Sequence, residues 1–500
     1  MLITLFRRCY EIFERNPLAV SLTLGFLIRS LAAYSNYGPF AIDDYQNVID
    51  PAFRLLMQGT KPEIPTLRFE ILPQAFAYFM KPLYILGIKR ADFLMSFAYG
   101  VMGLISLTQV VAIHRIGSLL LETKWRNAMT FFAATWWLAP IFTNSADISG
   151  PAYILITFAI LYLIRAVPHQ FGIGAAEDFA MAGKAFIGAG FYLSAAIFFR
   201  FSLGPLYFAL AAWLLWVIPR GKKLRALLFF ALGGALTAAI MVLLELSNKK
   251  LPFSTAIEFI KYNFAEHIQA QNYGSMPWYM YTAILAIFPL PILCFFFWYP
   301  MLTAARRFGG LTVLLLTFLV SHSAIAFKLE RYVIPVLPIL TIYLFKGLET
   351  FADQRWLRIS YRVLLTVNVL LILPVALTMQ QRAGVDGAIY AGTLEGERFV
   401  HRIDPWRWAY YGFNRKAPRF TNTVPEILGQ AGAEKIEKFQ VFRFMYFSGA
   451  ELADFRAAGY ECRLNRIFRP DFLERLSIRL NPAMNFRRND TTVYGCRLKA

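Results

Sequence analysis

The chain has 500 residues, of which 57% are hydrophobic and only 16% are charged, and its formal net charge is +20. Soluble domains carry roughly 25% charged residues, so this composition excludes a soluble enzyme, a disordered chain and a protein held by a single anchor. Basic cytoplasmic loops of a membrane protein explain the positive charge better than nucleic-acid binding does. The same charge favours contact with anionic membrane lipid.

Charge density divides the chain into two parts. Residues 1–378 contain 31 Lys and Arg and 18 Asp and Glu, or 13% charged, whereas residues 379–500 contain 20 and 13, or 27%. The sequence therefore predicts an all-α polytopic membrane module over 1–378 and a soluble α/β or α+β domain over 379–500. In that domain Cys462 and Cys496 could form a disulfide if the compartment is oxidising.

Membrane spans follow from the need for about 20 mostly apolar residues per crossing. About eleven are predicted, near 17–34, 92–113, 127–142, 149–166, 184–200, 204–219, 226–245, 277–298, 309–327, 331–347 and 361–378. The N-terminus shows no signal-peptide cleavage pattern, and the basic loops place it in the cytoplasm. The polar segments and the tail then face outward, to the periplasm or the lumen of the endoplasmic reticulum, and 73–88 lies on that outer face without crossing.

The first outer segment holds the first candidates for chemistry. Asp43 and Asp44 follow the first span, and adjacent carboxylates keep one partner ionised as a general base. The alternative is ordinary capping of the helix that follows. Arg29, inside the span, either faces a partner in a cavity or extends to the surface. Arg68 and Glu70 come later in the segment and could equally form a loop ion pair.

Two further outer segments are polar. The loop 246–276 contains an amphipathic helix over 255–272 that could be an ordinary interfacial helix. Lys328, Glu330 and Arg331 lie between two spans, where Lys and Arg could hold a lipid phosphate or could simply form a charged loop. His322 either lines the same cavity or is satisfied where it stands. The histidines are scattered, so we expect no cofactor, and a divalent metal at the aspartates stays open because no third ligand is identifiable.

Taken together, these motifs resemble the GT-C class of membrane glycosyltransferases, and among them the family 22 mannosyltransferases that use a polyprenyl-phosphate mannose donor. The similarity runs from about residue 20 to 345, in the family's order and on one side of the membrane. The matching residues are Arg29, Asp43, Asp44, Asp50, Arg68, Pro73, Asn144, Ser145, Asp147, Arg200, Asn263, Tyr273, Gly274, Pro277, Trp278, Lys328, Glu330, Arg331, Pro335 and Pro338. Departures occur at Met276 and Phe327, where the family has histidines, and at Leu329, where it has Glu.

The resemblance implies transfer of a sugar, mannose before others, from a polyprenyl phosphate to a glycan or glycolipid acceptor, with inversion at the sugar carbon. Asp43 would be the base and Asp44 would assist it. The residues implied in binding donor phosphate or substrate are Arg29, Arg68, Asp147, Arg200, Tyr273, Lys328, Glu330 and Arg331. A transporter of lipid-linked sugars, a transferase that uses polyprenyl-phosphate glucose or arabinose, and an inactive relative are the alternatives. A transporter would favour inverted repeats and charged or broken helices at mid-membrane, which the sequence does not display.

Overall fold

The computed structural model describes residues 11, 13–39, 44–59, 70–173, 179–262, 275–401, 419–480 and 489–499. Within these ranges the chain is mainly helical, and its strands lie after residue 396. The helices before the first strand are α1 (Pro17–Ser35), α2 (Asp50–Gln58), α3 (Ile71–Ile85), α4 (Ala91–Leu120), α5 (Thr123–Thr135), α6 (Ala139–Thr143), α7 (Ser149–Ala166), α8 (Phe179–Phe199), α9 (Gly204–Val217), α10 (Lys223–Ser247), α11 (Ser254–Ile260), α12 (Met280–Ala286), α13 (Cys294–Arg307), α14 (Gly309–Ser323), α15 (Leu337–Thr350), α16 (Arg355–Ala376) and α17 (Arg382–Thr393).

Seven helical segments among the described residues are long and apolar enough to cross a membrane. A bent pair, α13 and α14, meets at 114° and would make eight if it counts as one span. The predicted class, a polytopic helical membrane protein with a small C-terminal sheet domain, is confirmed, but the count of eleven spans is not. The seven segments are Pro17–Ser35, Ala91–Leu120, Ser149–Ala166, Ala182–Phe199, Arg220–Ser247, Glu330–Thr350 and Arg355–Ala376.

Helix breaks explain most of the difference in the count. The predicted span 127–142 is divided between α5 and α6, because the chain leaves the helical conformation at Trp136. The predicted span 277–298 is divided between α12 and α13, with Pro289 and Pro291 in the gap. Proline has no backbone N–H and clashes with the preceding turn, so it ends helices that hydropathy alone would continue.

The chain separates into two compact units, one of residues 1–30, 64–71 and 102–373 and one of residues 31–63, 72–101 and 374–500. In the first unit α8 packs against both α7 and α10. A Cβ on Gly190 of α8 would lie 2.0 Å from the Phe230 carbonyl oxygen, and one on Gly233 of α10 would lie 2.1 Å from that of Ile187. Glycine therefore lets the two helices approach, as is common between membrane helices. The predicted domain boundary at 378/379 stays a prediction.

The tail folds as an α+β structure in the second unit. Five strands, in the order β2-β1-β3-β5-β4, form one sheet in which β1 is parallel to β2 and β3, and β5 is antiparallel to β3 and β4. Apolar side chains of the strands and helices form its core, among them Phe399, Ile427, Phe439 and Phe455. The elements are β1 (Glu397–His401), β2 (Arg419–Thr421), α18 (Val424–Ala433), β3 (Lys438–Phe444), α19 (Gly449–Ala457), β4 (Tyr460–Phe468), α20 (Phe472–Leu480) and β5 (Thr491–Leu498).

A disulfide joins Cys462 of β4 to Cys496 of β5. The two residues are direct partners in the antiparallel ladder, with their Cα atoms 4.1 Å apart. Cross-linking residues 34 positions apart restricts the unfolded chain, and such bonds typically contribute about 2–4 kcal/mol. Disulfides persist in oxidising compartments.

The disulfide predicts the number of thiols that can be alkylated. The chain has four cysteines, so protein denatured without reductant should take up two iodoacetamide adducts, at Cys9 and Cys294. Reduction before alkylation should raise the number to four, as measured by intact mass with peptide mapping. Four adducts before reduction would show that Cys462 and Cys496 are free thiols.

Candidate functional site

Asp147 is held rigidly at the start of α7 in the first unit. Its Oδ1 accepts a hydrogen bond from the backbone N–H of Ser149, two residues on. The next residue, Gly150, has no room for a side chain, because a Cβ there would lie 2.5 Å from the Phe142 carbonyl oxygen. The Asp147 side chain is only 1% exposed, so its position leaves it little freedom to turn away from its neighbours.

The Asp147 carboxylate lies beside Arg331. Its Oδ2 is 3.3 Å from Arg331 Nε, and the arginine side chain is 8% exposed. Arg331 stands in a 3₁₀ turn, Glu330–Val336, that leads into α15 and packs against α7. A buried charge needs an opposite charge close by, so this pair fixes the turn to the start of α7.

Arg200 reaches the same place from another direction. It follows the end of α8, is buried, and donates a hydrogen bond from Nη1 to the Ser149 hydroxyl. Its guanidinium carbon lies 4.1 Å from the centre of the Tyr332 ring. Arg200 and Arg331 therefore converge on the Asp147–Ser149 segment, although 131 positions separate them in the chain.

His322 supports the segment that carries Arg200. Its Nε2 lies 3.0 Å from the hydroxyl of Ser202, in the 3₁₀ turn Phe201–Leu203. Its Nδ1 lies 3.1 Å from the Phe318 carbonyl oxygen, which can only accept. Nδ1 therefore donates to that carbonyl, whereas the Ser202 hydroxyl can either donate to Nε2 or accept from it. These contacts agree with the interpretation in which neighbouring groups satisfy the hydrogen bonds of His322.

Lys328 is the third buried cation. It is 2% exposed, and its Nζ donates to the carbonyl oxygens of Met276, at 3.3 Å, and Ile325. Burial lowers the pKa of the Lys328 ammonium. Removing an ammonium from water disfavours its charged form, so an anion bound beside Lys328 would restore that form.

The surroundings of the cations are aromatic and charged. The Tyr281 hydroxyl accepts the Leu329 backbone N–H at 3.3 Å and lies within electrostatic range of Arg200 and Glu330. Glu330 itself is exposed at the start of the 3₁₀ turn. The described part of this cluster, which we call the cation cluster, holds three buried cations and one buried carboxylate: Arg200, Lys328, Arg331 and Asp147.

Arg29 lies inside α1 with its guanidinium directed at protein groups. Its Nε donates to the Ser106 hydroxyl at 2.7 Å and its Nη1 to the Ala134 carbonyl at 2.8 Å. The Asn144 side chain in turn donates to the Arg29 carbonyl at 2.7 Å. These bonds tie α1 to α4, to α5 and to the segment that leads to Asp147. They favour the reading in which a cation inside a span faces partners, and substrate binding by Arg29 stays a prediction.

The first outer segment is described in part. Asp44, in the second unit, is buried and precedes a π-helical turn, Tyr45–Ile49, to which its side chain makes no capping hydrogen bond. The role of Asp44 in the chemistry stays a prediction. Glu70, in the first unit, forms an ion pair with Lys250 at 3.1 Å. The remaining predicted site residues, Asp43, Arg68 and Tyr273, lie outside the described residues, as do Asn263 and Gly274.

Sequence reasoning did not single out three residues of the cation cluster's surroundings. Ser149, Tyr281 and Tyr332 all contact or face its charged members. Ser149 lies two positions after Asp147 and Tyr332 directly follows Arg331, so their place in the sequence could have indicated that they belong to the site. Tyr281 carried no signal beyond its place in an apolar run.

The model of the Alg9-like mannosyltransferase family matches residues 64–391, which is most of the chain. The chain belongs to that family.

Solved structures agree with this fold. ArnT from Cupriavidus metallidurans bound to undecaprenyl phosphate is similar to this chain with a TM-score of 0.58 and 12% identity, covering 96% of this chain and 97% of that one. Its apo form gives a TM-score of 0.59 at 13% identity, with the same coverage. An oligosaccharyltransferase from Archaeoglobus fulgidus gives 0.51 at 11% identity, covering 86% of this chain and 69% of that one. Comparison with curated proteins finds no matching sequence.

The Asp147–Arg331 pair makes a prediction about stability. Arg331→Met keeps most of the side-chain volume but removes the cation, and breaking a buried pair by removing one partner typically costs about 3–5 kcal/mol. The double variant Asp147→Asn/Arg331→Met removes both charges and should recover most of that loss. The measurement is the free energy of unfolding in mixed micelles by titration with sodium dodecyl sulfate.

The exposed pair Arg463–Glu461 supplies the control, since its side chains are 78% and 46% exposed. Arg463→Gln should change the free energy of unfolding by at most about 0.5 kcal/mol. An Arg331→Met protein as stable as the wild type would contradict the importance of the buried pair.

Proposed function

We propose that this glycosyltransferase moves mannose from a polyprenyl-phosphate donor to a lipid-linked or glycan acceptor, on the extracytoplasmic face and with inversion at the sugar carbon. The observation that carries the proposal is the cation cluster, in which Arg200, Lys328 and Arg331 are buried and Arg331 is paired with Asp147. Buried cations call for anionic partners. The phosphate of a lipid-linked donor is such a partner.

The donor class has a second line of support. ArnT, which shares the fold, has been solved with undecaprenyl phosphate bound. A polyprenyl phosphate joins a long apolar chain to a charged head, so its site needs cations within reach of the bilayer. Lys328 lies just before the turn Glu330–Val336 and Arg331 lies within it. This turn begins an apolar candidate span, so both cations meet that requirement.

The disulfide supports an extracytoplasmic location of the tail. Cys462 and Cys496 belong to the tail, and a disulfide there fits an oxidising compartment better than the cytoplasm. The tail would then lie on the extracytoplasmic side, as the basic loops predict.

The reaction needs one base and one stabilised leaving group. Asp43, with Asp44 assisting, would remove the proton of the acceptor hydroxyl as that oxygen attacks the anomeric carbon. The bond between this carbon and the phosphate oxygen breaks, and the phosphate leaves with the electron pair. Arg200, Lys328 and Arg331 would stabilise the negative charge that develops on it. One base is enough for inversion, since no covalent sugar intermediate forms.

Asp147 would act by positioning the two arginines rather than by taking a proton. Its carboxylate contacts Arg331 directly and accepts the backbone N–H of Ser149. The Ser149 hydroxyl in turn accepts a hydrogen bond from Arg200. Preorganised cations stabilise charge in the transition state without reorganising at the moment of reaction. Arg68, Tyr273 and Glu330 stay candidates for contacts with substrate.

The proposal predicts donor choice and the base in one assay. Purified protein in nanodiscs receives labelled polyprenyl-phosphate mannose, glucose or arabinose and a lipid extract of the source cells. We expect transfer from the mannose donor, and Asp43→Asn should reduce its rate by about 10²–10⁴-fold, the usual contribution of a general base. Asp353→Asn, at an exposed position, is the matched control and should keep the wild-type rate.

Other results would contradict the proposal. Transfer that survives both Asp43→Asn and Asp44→Asn would remove the aspartates from the chemistry. Transfer from glucose or arabinose alone would overturn the donor assignment. Movement of lipid-linked sugar across the bilayer without any transfer would establish a transporter instead.

A further inference from the structure

The second unit contains a cavity that the proposed reaction does not use. Its volume is about 390 Å³, within the roughly 300–1,000 Å³ of typical ligand sites. It lies at the end of α1, which contributes Tyr34, at the start of α4, which contributes Asp92 and Phe93, and at the start of α17, which contributes Arg382. Both α1 and α4 are candidate spans, so the cavity lies at the ends of two candidate spans.

The two arginines of this cavity are already paired with carboxylates. Arg90 donates from Nε and Nη2 to both oxygens of Asp92, at 3.2 and 2.6 Å. Arg382 donates from Nε to Asp386 at 3.2 Å and from Nη1 to Asp471 at 2.6 Å. Two guanidiniums thus stand against three carboxylates, of which Asp92 lines the cavity, whereas Asp386 and Asp471 hold Arg382 from outside the lining.

The cavity also presents aromatic rings. Tyr34 is 79% exposed and Phe93 is 51% exposed. The Tyr37 hydroxyl lies deeper and donates to Asp386 at 2.7 Å. The Arg90 guanidinium carbon lies over the Phe93 ring, 4.7 Å from its centre, so Tyr34 offers the more open apolar face beside the hydrogen-bonding groups.

These features select among ligand classes. A phosphate would have to displace carboxylates from both arginines, so an anionic ligand is disfavoured. A neutral sugar fits better, because its hydroxyls both donate and accept and can bind at the open edges of closed Arg–Asp pairs. The C–H face of a sugar ring packs on an exposed aromatic ring. A few convergent polar groups with apolar walls are what orients a ligand in a cavity.

We propose that this cavity, lined by Tyr34, Tyr37, Arg90, Asp92, Phe93 and Arg382, binds a neutral sugar residue of the acceptor. Assignment of this sugar to the acceptor rests on the proposed function. Sugar binding itself is a property of the cavity and can be tested without donor or transfer. A zwitterionic phospholipid headgroup is the competing occupant, since its phosphate and ammonium could contact arginine and aspartate.

Saturation-transfer-difference NMR tests the proposal on the full-length protein in nanodiscs of phosphatidylcholine, which avoids glycoside detergents. The probes are α-linked mannobiose, the methyl glycosides of glucose, galactose and N-acetylglucosamine, and glycerophosphoethanolamine. We expect signals from at least one sugar, at least fivefold weaker in Tyr34→Ala and in Arg90→Gln. Both side chains are largely exposed, so neither change should unfold the protein.

Tyr78→Ala is the matched control, because Tyr78 is 66% exposed on α3 and does not line the cavity. It should keep the wild-type signals. Three results would overturn the proposal: no signal from any sugar, equal signals in all variants, or a glycerophosphoethanolamine signal that exceeds the sugars and is lost in the same variants. If the wild-type protein binds a sugar in this cavity but transfers no mannose in the nanodisc assay, the donor proposal alone is contradicted.

Discussion

The contact between Asp147 and Arg331 is the constraint on which the candidate site depends. Both side chains are buried, and a buried charge is tolerated only beside an opposite charge or hydrogen-bonding groups. The start of α7, the turn before α15 and, through Ser149, the end of α8 are therefore fixed relative to one another. Three segments that are distant in the chain become one rigid cluster.

The buried basic residues have different partners. Arg29 uses its hydrogen bonds on Ser106 and on backbone carbonyls, so it holds helices together. Arg200 and Arg331 converge instead on the Asp147–Ser149 segment, and Lys328 is held by backbone carbonyls alone among its described hydrogen bonds. Desolvated cations bind an anion strongly because little water must be displaced at the moment of binding.

The sequence predicted the membrane class and several elements closely, and the reasons it stopped short are physical. The predicted span 149–166 agrees with α7 because one uninterrupted apolar run forms one helix. The predicted span 127–142 does not, because a backbone break at Trp136 leaves hydropathy unchanged. Motif order identified Asp147, Arg200 and Arg331, but the bond from Arg200 to Ser149 and its ring contact with Tyr332 depend on helix packing, which one sequence does not encode as a pattern. Asp43, Arg68 and Tyr273 lie outside the described residues, so their roles stay predictions.

The most direct test of phosphate recognition by the cation cluster is the affinity of the protein for undecaprenyl phosphate, measured by native mass spectrometry beside the neutral undecaprenol. Hydrogen bonds to charged groups contribute about 1.5–3 kcal/mol, and about 1.4 kcal/mol corresponds to tenfold. Arg200→Met and Lys328→Met should therefore each weaken binding of the phosphate about tenfold or more, while binding of undecaprenol stays the same. Equal affinity of wild type and both variants for undecaprenyl phosphate would contradict a role of these cations in holding the donor.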